Sequence, residues 1–237
     1  MFESLDRDRI SANIVFIVRF APSEFYHIYN RGVEGRDIFL DDLDYRRFLD
    51  GLLAFNVDHP MTLRKAQKLD ITEILSLPRL TSVIGYISMK NHVHFLVKCG
   101  SEKNLARFLQ KLFIGYTMYF NTKYQRKGVL FQGGSKSKHI NEQRYLNHMI
   151  DYIHLNSLDY GFPEWREHGI QKTEAAKSAL LNYPWSSLNG FLKKEKDFVL
   201  DYELIGELFP KPSEILSSAL CWSSEIYEEN VGFMLEQ

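Results

Sequence analysis

Residues 82–97 constrain this chain more than any other stretch. Ser82-Val83-Ile84-Gly85-Tyr86-Ile87 and His92-Val93-His94-Phe95-Leu96-Val97 are rich in β-branched and aromatic residues. A break between Ser88 and Asn91 separates them, so the pattern predicts an antiparallel hairpin. Side chains two apart on a strand point to one face, which sets His92 and His94 side by side. Two imidazoles on a rigid strand can hold a divalent cation, provided a third ligand arrives from elsewhere. Alone, a His-x-His pair is more simply read as ordinary strand residues.

The flanking segments supply a sheet and its cover. Glu24-Phe25-Tyr26-His27-Ile28-Tyr29-Asn30 alternates and is rich in aromatics, as a strand would be, and Arg31 to Gly35 then turns. Asp41-Asp42-Leu43-Asp44 offers a helix cap, and Leu43, Phe48, Leu49, Leu52 and Leu53 continue at helical spacing to about Phe55. Between Asn56 and Arg79 the periodicity is weak, with a helical trace near Leu69 to Leu75. After the hairpin, Leu105, Phe108, Leu109, Leu112, Phe113, Tyr116, Tyr119 and Phe120 form an apolar stripe, predicting a long helix with core aromatics. Lys136 to Ile140 reads as a short strand. Another helix opens near Asn141 and runs through Tyr145, Leu146, Met149, Ile150 and Ile153.

This order predicts an α+β fold: a ferredoxin-like β-α-β-β-α-β antiparallel sheet with helices on one face, plus an additional helix after it. A core region over 23–160 is expected, preceded by a segment of uncertain structure (1–22) and followed by an extension (161–237) packed on the same domain. Asn13 to Phe20 fits either a strand or an extra segment. Short helices are expected around Asp201 to Leu208 and Pro212 to Ser224.

Net charge is −1, but its distribution is uneven. Nine Lys and Arg residues and one acid, Glu142, lie between Lys103 and His148, whereas ten acids and four lysines lie from Lys193 onward. A basic middle leaves room for one electropositive surface, and a merely solvated charged face would look the same. No apolar run approaches the roughly 20 residues of a membrane-spanning helix. The N-terminus carries Glu3, Asp6 and Asp8 where a secretory signal would be basic, and Cys99 and Cys221 do not make a disulfide framework. A reduced, cytoplasmic setting is the expectation.

His148, Tyr152 and Asn156 lie four apart on the last predicted core helix, hence along one face. A tyrosine hydroxyl, with an ordinary pKa near 10, is a poor nucleophile until a cation polarises its target or a neighbour stabilises the phenolate. Attack on a phosphodiester would conserve bond energy in a phosphotyrosine link, with no nucleotide cofactor needed. Most tyrosines on amphipathic helices simply pack their rings, and Asn156 is equally readable as a helix cap.

Six motifs occur in order: Tyr26-His27-Ile28-Tyr29-Asn30-Arg31-Gly32, the stretch Ile38 to Phe48, Met89-Lys90-Asn91-His92-Val93-His94-Phe95, Leu130-Phe131-Gln132-Gly133, Tyr152-Ile153-His154-Leu155-Asn156 and Tyr183-Pro184-Trp185-Ser186-Ser187. Over roughly residues 24–192 the set resembles the REP-associated tyrosine transposases, a branch of the HUH single-strand DNA transposases. The resemblance implies that His92 and His94 bind Mg²⁺ or Mn²⁺, that Asn156 helps hold the metal, and that Tyr152 is the single nucleophile. It implies a sequence- or hairpin-directed transposase or endonuclease that cleaves and rejoins single-stranded DNA through a 5′-phosphotyrosine intermediate. Arg107, Lys111, Arg126, Lys127, Lys136 and Lys138 would hold backbone and hairpin. The alternative is a domesticated, non-catalytic hairpin binder. Monomer and homodimer both stay open. Two departures are visible: Gly134 and Ser135 stand where relatives usually have Arg and an aromatic, and Ser157 where they usually have Pro.

Overall fold

The computed structural model describes residues 20–222. Four strands form one sheet: β1 (Phe25–Arg31), β2 (Thr81–Met89), β3 (His92–Cys99) and β4 (Lys136–Ile140). Their spatial order is β2-β3-β1-β4 with every neighbouring pair antiparallel. This is the ferredoxin-like arrangement the element order implied.

Helix α1 (Asp42–Ala54) links β1 to the short helices α2 (Leu63–Ala66) and α3 (Ile71–Leu75), and α4 (Glu102–Lys123) links β3 to β4. Asp41 caps α1, accepting from the Asp44 amide at 3.0 Å, and Ser101 caps α4 by accepting from the Asn104 amide. Helices α1 and α4 cover the sheet face that carries Phe95: Phe48 stacks on Phe95, and Phe113 meets the same ring. The predicted α4 stripe is the buried one, from Leu105 to Phe120. Asp44, fully buried, ties α1 to α4 by accepting from Lys123, Tyr119 and Tyr124.

Helix α5 (Gln143–Leu155) packs on the opposite face, so the tyrosine helix is the additional element rather than part of the two-helix layer. Its path is set by Gly85. The β2–β3 register slips between Val83 and Gly85, and a methyl group at Gly85 would overlap Ile150 Cδ1 of α5.

A 3-10 turn (Asn156–Tyr160) continues α5 and is followed by α6 (Trp165–His168), α7 (Thr173–Asn182), α8 (Leu188–Phe191), α9 (Tyr202–Leu208) and α10 (Pro212–Leu220). Helix α10 lies along α5. Among the described residues the main apolar core runs from Phe20 through the sheet to Trp222, and a smaller cluster forms around Val57, Met61 and Ile74. Of the N-terminal segment 1–22 only residues 20–22 are described, and the tail from residue 223, including the end of the expected 212–224 helix, lies outside the described residues. Helix α7 was not expected from sequence. Among the described residues no helix is long and apolar enough to cross a membrane.

Candidate functional site

The β2–β3 connection is a two-residue turn, Lys90-Asn91, so His92 opens β3. The turn is pinned from outside: Lys90 O accepts from the amides of Ile38 and Phe39, and Asn91 O accepts from Gly32 N at 2.8 Å. His92 and His94 then share a face with Arg31 and Tyr29, their cross-strand partners on β1. Lys136 and Lys138 of β4 sit opposite Tyr29 and His27 on that same face.

Helix α5 brings Tyr152 over this face. Its ring stands edge-on to His94 (centroids 5.8 Å) and to His27 (6.4 Å). Asn156, one residue past the helix, donates from Nδ2 to Tyr152 O at 2.6 Å. A cleft of about 450 Å³ results, walled by His92, His94, Tyr152, Asn156, Arg31 and Arg166 among others. His148, although on the same helix, points elsewhere, meeting Arg144 and Trp222.

The histidines suit a cation. Burial pushes His92 down to about 4 and His94 well below its usual range, so both are neutral near pH 7. Asn91 donates from Nδ2 to Gly35 O, which fixes its amide and turns Oδ1 toward His92 Nδ1 at 2.6 Å. With its proton on Nδ1, donated to Asn91 Oδ1, His92 keeps the Nε2 lone pair. His94 Nδ1 lies 2.9 Å from His27 Nε2. A His94 that donates across that bond likewise keeps its Nε2 lone pair. Such outer partners are what ligating imidazoles normally have.

Among the described residues no group of three or more His, Cys, Asp or Glu is arranged to hold a metal. A cation held by His92 and His94 would therefore need a third donor of another kind, such as the Asn156 amide or an oxygen of bound substrate. Asn156 is already engaged, because Arg166 donates to its Oδ1 at 3.0 Å.

The cations expected to hold DNA divide by location. Lys136 and Lys138 share the face of the histidines. Arg107 and Lys111 lie on α4, across the sheet, and Arg107 is paired with Asp58 at 2.6 Å. Arg126 lies over the Phe120 ring in the loop after α4, and Lys127 beside it is exposed.

Three basic residues of the cleft were not singled out from sequence: Arg31, Lys90 and Arg166. Arg31 and Lys90 lie within the quoted motifs, so the signal was present there. Arg166 had none.

No protein-family model and no curated protein matches the chain. Among solved structures it is similar to a REP-associated tyrosine transposase bound to a REP hairpin, at 12% identity and TM-score 0.46, covering 74% of this chain and 82% of that one. It is also similar to a bacterial tRNA(His) guanylyltransferase (Thg1)-like protein in complex with ATP, at 9% identity and TM-score 0.36, covering 71% of each chain.

Proposed function

We propose that this chain nicks and rejoins single-stranded DNA, directed by sequence or by a hairpin, with Tyr152 as the nucleophile. The observation that carries the reading is the edge-on approach of Tyr152 to His94 in a cleft also lined by His92 and Arg166. His92 and His94, with the Asn156 amide or a substrate oxygen, would hold Mg²⁺ or Mn²⁺. When bound, such an ion supplies Lewis-acid polarisation of a phosphate oxygen.

The chain's own residues do the rest. Tyr152 Oη forms a bond to phosphorus as the phosphorus–O3′ bond breaks. The tyrosine proton passes to solvent and the departing O3′ takes one up, leaving a free 3′-hydroxyl and a 5′-phosphotyrosine link. Reversal with a new 3′-hydroxyl rejoins the strand. His27 holds His94 and the Asn156 amide braces the end of α5.

Incubating the protein with hairpin-bearing single strands and Mn²⁺ should give a covalent adduct that survives denaturation and disappears in Tyr152→Phe. Cleavage that persists in Tyr152→Phe would overturn the mechanism. Tight hairpin binding with no adduct would instead establish a non-catalytic binder.

A further inference from the structure

Arg166 comes from outside the sheet and its tyrosine helix, yet its guanidinium reaches the centre of the site. Its Cζ lies 5.3 Å from the centre of the Tyr152 ring and 4.5 Å from that of Trp165. Nη2 donates to Asn156 Oδ1 at 3.0 Å and to Asp159 Oδ2 at 2.8 Å. Burial works against the charge, but Tyr152 and Asp159 outweigh it and hold the guanidinium above its ordinary range, Tyr152 also by a hydrogen bond. Its field reaches both His92 and His94.

Among the described residues one carboxylate pairs with this cation, and that carboxylate is shared: Asp159 Oδ1 accepts from Trp165 Nε1 at 2.7 Å. The Arg166 side chain stays 19% exposed and forms part of the cleft wall. A planar guanidinium has five N–H donors, and its bonds to Asn156, Asp159 and Tyr152 leave others for an oxyanion entering the cleft.

We infer that Arg166 grips the DNA phosphate that faces Tyr152 and holds that tyrosine in position. This rests on the nicking reading above for the identity of the ligand. It gives the segment after the tyrosine helix a direct part in the site, where otherwise Arg166 would only fasten that segment to α5. The planar fork suits two oxygens of one phosphate, which a lysine could not engage in the same way.

Two measurements test it, one without chemistry. In EDTA, the affinity of a labelled oligothymidylate is read by fluorescence anisotropy across a salt series. Arg166→Gln keeps hydrogen-bonding capacity toward Asn156 and Asp159 but removes the charge. It should bind roughly tenfold more weakly, the worth of a charge-assisted hydrogen bond. The slope of log affinity against log salt should fall by about 0.7, one phosphate contact on a single strand. Arg166→Lys should keep the slope. Thermal melting of both variants checks the fold.

In single-turnover cleavage of a hairpin strand with Mn²⁺, both variants should be slower by roughly 100-fold. Guanidinium added to Arg166→Ala should restore part of the rate, which a fastening role would not allow. Unchanged affinity and slope in a folded Arg166→Gln would overturn the inference, whatever the cleavage rate. The predicted loss of binding in a protein that forms no adduct would leave the clamp standing and remove the nicking reading.

Discussion

At the scale of single residues, the site depends on the state of one imidazole. His94 can offer Nε2 to a cation only if Nδ1 holds the proton, and His27 Nε2, 2.9 Å away, is in reach to accept from it and hold that tautomer. His27 is fully buried, stacks on His94 at 5.0 Å, and is driven down to about 3 mainly by burial, with Lys138 assisting, so it remains neutral. His27→Phe keeps a stacked ring and removes the acceptor. Mn²⁺ binding, followed by loss of the free-ion electron paramagnetic resonance signal, should weaken by roughly 10- to 100-fold, the usual effect of removing an outer partner of a ligand. Affinity equal to wild type would mean that His27 merely packs. This partnership was not legible beforehand. His27 stood in a quoted motif, but nothing in one sequence reveals that two histidines 67 positions apart share a hydrogen bond.

Among elements, the placement of α5 decides whether Tyr152 reaches the histidines, and Gly85 sets that placement. The β2 irregularity next to Val83 and the missing side chain at Gly85 let Ile150 seat directly on the sheet. Gly85→Ala should cost about 1–3 kcal/mol in urea unfolding, as overpacking does. It should slow adduct formation more than it weakens DNA binding, because the helix that moves carries Tyr152, the proposed nucleophile. Pairing it with Ile150→Val, which removes the overlapping methyl, should recover most of both losses through coupling between neighbours. If the double variant is no better than Gly85→Ala, the contact is not what sets α5. The long helices were legible because each buries one stripe with a clear period, and the hairpin because β2 and β3 are continuous β-branched and aromatic runs buried on both faces: α1, the hairpin, α4 and α5 all fall close to where their apolar residues place them. Tyr183 to Ser187 belonged to a recognised motif, but its work is tertiary. Ser88 N donates to Trp185 O, while Ser187 Oγ bonds Tyr86 N and lies 3.0 Å from His154 Nε2, so this segment fastens the β2 edge to α5. Helix α7 was missed although its Thr-Glu-Ala-Ala-Lys-Ser-Ala-Leu-Leu run suits a helix, since its buried residues are only Ala176 and Leu180 and their spacing is a weak signal.

For the molecule as a whole, what matters is which of its charges face the cleft. A net charge of −1 gives no general attraction for DNA, so the DNA binding proposed above would have to come from a local field. The sheet separates the basic middle of the chain into two sides. Lys136 lies over Tyr29, with Nζ 5.7 Å from the ring centre, and Lys138 sits opposite His27, both on the histidine side. Helix α4 carries Arg107 and Lys111 on the far side, where Phe113 packs against Phe95, and Arg107 is partly neutralised by Asp58. One run of basic residues in sequence thus becomes two surfaces in space, because β4 returns to the sheet edge while α4 stays beneath it. If strands enter along the histidine face, the double variant Lys136→Ala/Lys138→Ala should lower the salt slope of single-strand binding by about 1.4, two contacts at about 0.7 each. Arg107→Ala/Lys111→Ala should leave the slope within error. Each is read by anisotropy with the same labelled strand over one salt series, and the comparison is internal because both variants lose two positive charges. Equal losses from the two pairs would mean that binding follows net charge alone. A larger loss from the α4 pair would place the strand across the sheet from Tyr152, where no attack could follow.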